Sequence, residues 1–265
     1  MLCWVGFPIL LRSQVKIVAR GGASFYKPRN TVVAVRLAWE YGSDGVVIDV
    51  FESKDAQWFA FRQDDVSAYA NKAYRLSEMK GRKIESISLR NKLSKSSLVY
   101  HISHIEDVLS LLPTGKFFMI HLDKEVDNIG ALFKVLKRHR NAKYIRYVSS
   151  DWKQLQYLSR RVDASNLFYE WDRSIALGGA IEKAKAMGIT SFIVQAEQLN
   201  GQMVSWIKES GISIHVSLAE NDNGEHWFKL FPSIVSFFTS RPRWVRTSLI
   251  ETPAIPSVDV LSMGL

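Results

Sequence analysis

The sequence predicts an α/β protein built on a parallel sheet or barrel, and two observations carry this prediction. Short apolar runs rich in β-branched residues alternate along the chain with segments whose apolar residues recur three and four positions apart. This alternation is typical of parallel strands separated by helices. The chain has 265 residues, and a (β/α)8 barrel of roughly 250 residues commonly forms one domain. We therefore predict a single domain, residues 1–265, without an interdomain linker.

Nine segments have the length and composition of strands, one more than the eight places in a (β/α)8 barrel, so one of them should be peripheral. These segments are 16–19, 45–50, 58–62, 117–122, 144–148, 166–169, 191–194, 212–216 and 234–239. The segment 58–62 is interpreted as the third strand of the barrel.

Six segments between these strands have helical periodicity, namely 31–41, 105–112, 128–139, 152–161, 179–187 and 201–209. Gly188 and Gly211 stand where C-terminal helix caps belong. A stretch of about 40 residues, 63–103, separates the third predicted strand from the next helix. We interpret it as an excursion from the barrel without a core of its own.

Composition narrows the class of protein. Hydrophobic residues make up 47% of the chain and charged residues 23%, which is ordinary for a globular protein with a large core. Cys3 is the only cysteine, which excludes an intrachain disulfide and a multi-cysteine metal site and favours a reducing, cytoplasmic setting. The apolar segment 1–11 is shorter than the roughly 20 residues of a spanning helix, so we expect it to pack on the fold without membrane contact.

The net charge of +9 indicates an anionic partner. The segment 71–95 alone carries +6, and a solvated surface is the simpler interpretation of such a run than a dedicated contact face. No helix-turn-helix, zinc-finger or RNP-like pattern is present, so nucleic acid is not a predicted partner. Motifs of P-loop proteins, α/β-hydrolases, zinc proteases and dinucleotide-binding proteins are absent as well.

Polar side chains should meet at one end of the predicted barrel. Alternate residues of a barrel strand face inward, and functional groups cluster at the carboxyl ends of the strands. A period of two places Asp49, Arg62 and His121 on inward faces near the ends of predicted strands two to four, and Arg20 closes the first. Arg29 precedes a helix and should overhang the same opening. The predicted barrel mouth is therefore rich in arginine.

Several motifs of the chain occur in an order and spacing that resemble a known family. They are "VARGGAS", "YKPRNT", "GSDGVVIDV", "SKDAQWFAFRQDD", "HISHIEDVLSLL", "YVSSDW" and "FFTSRP". Over residues 17–242 the chain resembles the glycerophosphodiester phosphodiesterases, which are related to the phosphatidylinositol-specific phospholipase C barrels. The resemblance implies a TIM barrel of the phospholipase C-like phosphodiesterase type, a phosphoric diester hydrolase ancestry and a place in lipid metabolism.

The positions that carry chemistry in that family hold different residues in this chain. The resemblance implies two histidines as general acid and base and several carboxylates that bind a divalent cation. The two histidines fall on Arg20 and Arg62, and Asp49 is the one matching ligand. The remaining positions fall on Gly21, Arg29, Val47, Gln63 and His121. A shift of one residue in the first turn would instead place Ala19 under the first histidine, so the base is missing in either alignment.

These replacements predict that metal-dependent hydrolysis is lost. Ca²⁺ and Mg²⁺ are held by several oxygen ligands, and one carboxylate beside three guanidinium groups does not provide them. Arginine stays protonated and cannot act as a general base at neutral pH. We therefore predict neither a bound metal nor another cofactor, and a pseudoenzyme or an altered activity.

The leading hypothesis is that Arg20, Arg29, Arg62 and Asp49 form a binding site for an anionic small molecule, a phosphate ester or a carboxylate. Guanidinium groups bind such ligands through paired, charge-assisted hydrogen bonds. The oligomeric state is left open.

Two alternatives remain at this point. In the first, His121 is the base of a metal-independent phosphodiester hydrolase or transferase and the arginines stabilise the charged transition state, with His215 as a second titratable candidate. In the second, the protein is a structural interaction domain in which Arg20 or Arg62 pairs with Asp49 and Asp123 and plugs the barrel. That second alternative predicts that no pocket stays open.

Overall fold

The computed structural model describes residues 15–62, 66–70, 72–90, 98–231 and 233–251. Within these ranges the chain forms ten strands: β1 (Lys16–Arg20), β2 (Gly45–Glu52), β3 (Trp58–Ala60), β4 (Ser103–His104), β5 (Phe117–Leu122), β6 (Ile145–Ser149), β7 (Leu167–Glu170), β8 (Ser191–Gln195), β9 (Ser213–Ser217) and β10 (Ile234–Thr239). Eight of them pair in parallel in the order β1-β10-β9-β8-β7-β6-β5-β2, and a pairing of β1 with β2 closes the barrel. The predicted (β/α)8 barrel is confirmed.

Helices follow the strands of the barrel and cover its outside. Those of the described chain are α1 (Val32–Glu40), α2 (Val66–Tyr69), α3 (Gly81–Glu85), α4 (Ile105–Leu109), α5 (Ile129–Arg138), α6 (Trp152–Ser159), α7 (Leu177–Ala186), α8 (Gly201–Glu209), α9 (Glu225–Leu230) and α10 (Pro242–Glu251). The six helices expected from periodicity are present, and Gly188 and Gly211 follow α7 and α8 with left-handed backbones, as C-terminal caps require. The helices α2, α3, α9 and α10 were not predicted.

The interpretation of 58–62 as a barrel strand is wrong. Strand β3 pairs antiparallel with the last residues of β2, Val50 opposite Ala60 and Glu52 opposite Trp58, and then with β4. Only residues 53–57 connect β2 to β3. A parallel crossover needs a dozen or more residues, whereas an antiparallel pair can be joined by a short turn. The connection is thus too short for a parallel strand, and β3 is the peripheral one of the nine predicted strands.

The excursion leaves the barrel at β2 rather than after residue 62, and it has a small core, contrary to the expectation. Side chains from β3, α2, α3 and the segments around them form a hydrophobic cluster separate from the main one. Its buried members are Phe51, Phe59, Phe61, Val66, Ala70, Leu76, Ile84, Ile87, Leu89, Tyr100 and Ile102. The excursion is therefore a packed subdomain beside the barrel mouth, not a solvated loop.

The barrel interior consists of a dry middle layer between two polar ends. The inward side chains of the middle layer form their own apolar cluster, which contains Val18, Val47, Phe117, Met119, Val148, Phe168, Ile193 and Phe238. Arg20, Asp49 and His121 each follow an inward residue by two positions and lie above this layer at the carboxyl ends of their strands. The dry layer separates the mouth from the opposite end of the barrel.

Some predictions fall on residues that the structure does not describe. The apolar segment 1–11, Gln63, and residues 71 and 91–95 of the basic segment lie outside the described ranges. Within the described chain, every helix is too short or too polar to cross a membrane.

Candidate functional site

The turn after β1 brings the segment of Arg29 over the barrel mouth. Gly21 and Gly22 have positive φ angles of 68° and 80°, which side chains rarely adopt. A Cβ atom on Gly22 would lie 2.5 Å from the carbonyl carbon of Ala34. The Gly21 N–H donates to the carbonyl of Val47 at 2.8 Å. The glycine pair of "ARGGAS" therefore allows a tight turn that ties β1 to β2 beneath the mouth.

The motif "PRNT" starts a helix and also fixes Asp49. Thr31 is the N-cap of α1 and accepts a hydrogen bond from the Ala34 N–H. Asn30 has a left-handed backbone with φ of 62°. Its side-chain amide donates to Asp49 Oδ2 at 2.8 Å and accepts from the Asp49 N–H at 3.1 Å. Asn30 thus holds the carboxylate of Asp49 in one orientation.

Five charged or titratable side chains form a continuous chain of contacts across the mouth, which we call the mouth network: Arg29, Asp49, His121, Glu170 and Arg20. Arg29 Nη2 lies 3.5 Å from Asp49 Oδ2. Asp49 Oδ1 lies 2.8 Å from His121 Nδ1, and His121 Nε2 lies 3.0 Å from Glu170 Oε2. Arg20 donates to Glu170 Oε1 at 2.8 Å, and it also donates to Ser217 Oγ at 3.1 Å. Opposite charges alternate along the whole series.

In the mouth network, burial and the neighbouring charges shift the pKa values in opposite directions, and the effect of the charges is larger. Burial alone would lower the pKa of His121, but hydrogen bonds and attraction to Asp49 and Glu170 raise it to about 9. Burial would raise the pKa values of the two carboxyl groups. Attraction to Arg20 and hydrogen bonds from His121 nevertheless lower that of Glu170 to about 2, and His121 and Arg29 lower that of Asp49 further. At neutral pH the network therefore contains three cations and two carboxylates.

Arg62 lies beside this network, at the wall of a cavity. Its Nη2 atom lies 3.6 Å from Asp123 Oδ2, in the loop after β5. The cavity has a volume of about 340 Å³, and both Asp49 and Arg62 line it. Trp58 of the excursion and Val126 of the β5–α5 loop form other parts of its wall. An opening of this size is within the range of small-molecule sites.

The wall of the cavity is more acidic than the sequence suggested. Besides Asp49 and Arg62, the charged residues that line it are Glu52, Asp123, Glu125 and Asp127. Five carboxylates thus face one guanidinium group around the cavity. Because Arg62 lines the same cavity as these carboxylates, the site offers both signs of charge to a ligand.

The fold was compared with solved structures. A glycerophosphodiester phosphodiesterase from Agrobacterium tumefaciens superposes with a TM-score of 0.73 at 18% identity, over 88% of this chain and 99% of that one. A phosphodiesterase from Oleispira antarctica, solved with the product sn-glycerol-3-phosphate, gives 0.77 at 17% identity over 89% and 97%. The enzyme from Thermotoga maritima gives 0.69 at 19% over 88% and 97%. This chain has the glycerophosphodiester phosphodiesterase fold. Neither a protein-family model nor a curated protein sequence matches it.

The mouth does not fit the divalent cation that the glycerophosphodiester phosphodiesterase fold implies. Asp49 lies between Arg29 and His121, and Glu170 lies between His121 and Arg20, so each carboxylate already has a cation on both sides. Both ring nitrogens of His121 face carboxylates, which leaves no lone pair for a metal when the ring is protonated. Within the described ranges, no group of three or more His, Cys, Asp and Glu side chains is arranged to hold a metal ion.

The structure brings four of the five predicted site residues together and sets one apart. Arg20, Arg29, Asp49 and His121 are members of the mouth network. Arg62 follows the peripheral strand β3 instead of a barrel strand, and it lines the adjoining cavity. Arg20 faces the barrel interior, since its neighbour Ala19 packs in the hydrophobic cluster outside the barrel. This disfavours the alignment that places Ala19 at the position of the family's first histidine.

Two further residues alter the interpretation of the site. Glu170, the last residue of β7, links the two halves of the network. The period of two in "LFYE" could have found it, because Phe168 faces the barrel interior and Glu170 follows on the same face. His215, the second titratable candidate, does not reach the mouth. It packs against Phe168 at 4.9 Å on the other side of the dry layer.

Proposed function

We propose that this protein is a glycerophosphodiester phosphodiesterase-like barrel that has lost metal-dependent hydrolysis and binds a phosphorylated small molecule at its mouth. The observation that carries this proposal is the mouth network, in which arginine and a protonated histidine neutralise the carboxylates. As the resemblance implies, the family has one of its two histidines at the position of Arg20, and acidic residues at the positions of Arg29, Asp49 and His121.

The same observation argues against His121 as a general base. A base must be unprotonated near the working pH, whereas the pKa of His121 is raised to about 9 by its two carboxylate neighbours despite burial. Both of its nitrogens are also engaged, at 2.8 Å and 3.0 Å. A metal-independent hydrolase or transferase would have to break this network before His121 could accept a proton.

The anion would bind between the network and the cavity. The ion pairs of Arg29 and Arg62 measure 3.5 Å and 3.6 Å, longer than the usual range of about 2.7–2.9 Å for charge-assisted hydrogen bonds. Their side chains are 22% and 37% exposed. A phosphate can form shorter, bidentate contacts with such guanidinium groups. The Oleispira antarctica phosphodiesterase, which shares the fold, was solved with sn-glycerol-3-phosphate.

The acidic wall limits the class of ligand. A second negative charge on the ligand would be repelled by Glu52, Asp123, Glu125 and Asp127 around the cavity. We therefore propose a phosphate ester whose remaining part is neutral or cationic, with hydroxyl or ammonium groups that these carboxylates can accept. The phosphate would face Arg29 and Arg62.

A purely structural role is the second candidate, and one observation favours it. Each charge in the mouth network has an oppositely charged neighbour, so the network can persist in the barrel without a ligand. This candidate predicted that no pocket would stay open, whereas a cavity of about 340 Å³ adjoins the network. The cavity is the reason to prefer the binding role.

Calorimetric titration tests the binding role. Wild-type protein is titrated with sn-glycerol-3-phosphate and with a glycerophosphodiester that has an ammonium group, and we expect the second to bind more tightly. Arg29→Met and Arg62→Met should each weaken binding by about tenfold or more, since a hydrogen bond to a charged group contributes about 1.5–3 kcal/mol. Arg160→Met, on the exposed end of α6, is the matched control. Equal affinity in all four proteins, or no binding to any, would support the structural role.

Turnover is measured on the same diesters with Mg²⁺, with Ca²⁺ and with a chelator. We expect no turnover under any of these conditions. Turnover that the chelator abolishes would overturn the loss of metal-dependent hydrolysis. Turnover that is insensitive to the chelator and lost in His121→Ala would support the metal-independent enzyme instead.

The cellular setting is also a proposal. The single cysteine favours a reducing, cytoplasmic compartment, and the family resemblance favours a role in lipid metabolism.

A further inference from the structure

The N-terminal end of the barrel contains a second, smaller cavity with buried polar groups. Its volume is about 30 Å³, and a site needs roughly 10–15 Å³ to hold one water molecule. It lies below the dry layer, opposite the mouth. Its polar and charged lining consists of Lys16, Arg146, His215 and Ser236, and the aromatic lining includes Phe117 and Phe168.

One nitrogen of His215 has no partner in the described structure. His215 is only 6% exposed. Its Nδ1 atom lies 2.8 Å from Ser236 Oγ, whereas Nε2 is buried without a hydrogen-bond partner among the described residues. If the Ser236 hydroxyl donates to Nδ1, the neutral ring carries its proton on Nε2. Because His215 lines the cavity, a buried N–H donor without a partner is then available at this site.

The cations at this cavity have aromatic neighbours instead of acidic ones. The guanidinium carbon of Arg146 lies 3.9 Å from the ring centroid of Phe117, and Lys16 Nζ lies 5.9 Å from the same centroid. In the described part of the chain neither side chain forms an ion pair. Burial, Arg146 and Lys16 together lower the pKa of His215 to about 3, and no carboxylate opposes them. The potential in the cavity is therefore positive.

We propose that this end of the barrel binds a small inorganic anion, of the size of chloride or bromide, between His215 Nε2 and the guanidinium of Arg146. The anion accepts a hydrogen bond from the imidazole N–H and offsets the charges of Arg146 and Lys16. Stacking on Phe117 holds the guanidinium at the cavity. This site is independent of the phosphate ester at the mouth, because the apolar layer with Met119 and Val148 separates them.

The site is tested on the full chain by nitrogen NMR of the histidine rings. Protein with ¹⁵N-labelled histidine is titrated with chloride and with bromide at constant ionic strength, with gluconate as the balancing anion because it is too large for the cavity. The His215 signals are assigned from their absence in His215→Gln. We expect a saturable shift of these signals, with Nε2 protonated and Nδ1 unprotonated.

Substitutions of Arg146 test whether the anion is bound as proposed. Arg146→Met should weaken the saturable response at least tenfold, and Arg146→Lys should restore part of it. Arg161→Met is the control, because Arg161 also stacks on an aromatic ring, that of Tyr157 at 3.6 Å, but lies on the exposed surface. It should leave the response unchanged.

Three results would overturn the proposal: no saturable shift at His215 in the wild type, the same response in Arg146→Met, or an unprotonated Nε2 in saturating chloride. Because the readout is local to His215, failure of binding at the mouth would leave it unaffected. Anomalous diffraction from a bromide-soaked crystal provides a second measurement, with a peak expected in contact with Nε2.

Discussion

The two ends of the barrel interior each contain a buried histidine, and their surroundings differ in charge. His121 is 8% exposed and lies between the carboxylates of Asp49 and Glu170. His215 is 6% exposed and lies beside Arg146 and Lys16, with Ser236 as its hydrogen-bond partner. The pKa of the first is raised to about 9, whereas that of the second is lowered to about 3.

Burial alone therefore does not set the protonation of a barrel histidine. Burial lowers the pKa in both places, but two carboxylates reverse its effect at the mouth and two cations add to it at the other end. The mouth should therefore act as a compensated ion network that contributes to stability, and the opposite end as a positively charged site that lacks a counterion among the described residues. Three predictions test this contrast.

Removing Glu170 should have the largest effect. Glu170→Met leaves Arg20 and His121 without their shared carboxylate, and loss of one partner of a buried ion pair costs about 3–5 kcal/mol. The free energy of unfolding is measured with urea near neutral pH. The control is Lys124→Met, which removes the exposed ion pair with Asp172 and should cost at most about 1 kcal/mol. Equal losses would show that the mouth network does not stabilise the fold.

The stability that His121 contributes at the mouth should depend on pH. The pKa of His121 is higher in the folded chain, about 9, than its ordinary value of 6.5. The contribution of His121 to the free energy of unfolding is thus fully present below pH 6.5 and is lost as the pH rises through 9. The loss is on the order of 3 kcal/mol. Urea unfolding from pH 6 to pH 10 measures it, and His121→Gln should flatten the decline. A decline of equal steepness in the variant would contradict the role of His121.

Replacing the two histidines by phenylalanine should have unequal effects. In chloride-free buffer, His215→Phe leaves the buried Ser236 hydroxyl without its partner, and we expect a loss of about 1–3 kcal/mol in the free energy of unfolding. His121→Phe removes the cation that two buried carboxylates share and should cost more, about 3–5 kcal/mol. Thermal and urea unfolding of both variants measure this difference. A larger loss for His215→Phe would reverse the comparison.

Much of the fold was predictable because its signals are local. Periodicity located eight barrel strands and six helices, and glycine positions marked helix ends. The misassigned strand, β3, has the same composition as a barrel strand. Only the short connection 53–57 could have distinguished it, since its length decides between parallel and antiparallel pairing. The core of the excursion was missed because its apolar residues are spread over 51–102 without one period.

By itself, the sequence determined the barrel and the inward positions of Asp49 and His121. Only the tertiary structure decided which charges pair. Arg20 binds Glu170, 150 residues away along the chain, and His121 joins that carboxylate to Asp49. It likewise decided that His215 lies at the opposite end, among cations. The physical reason is that charges interact according to their separation in space, and barrel closure brings distant strand ends together.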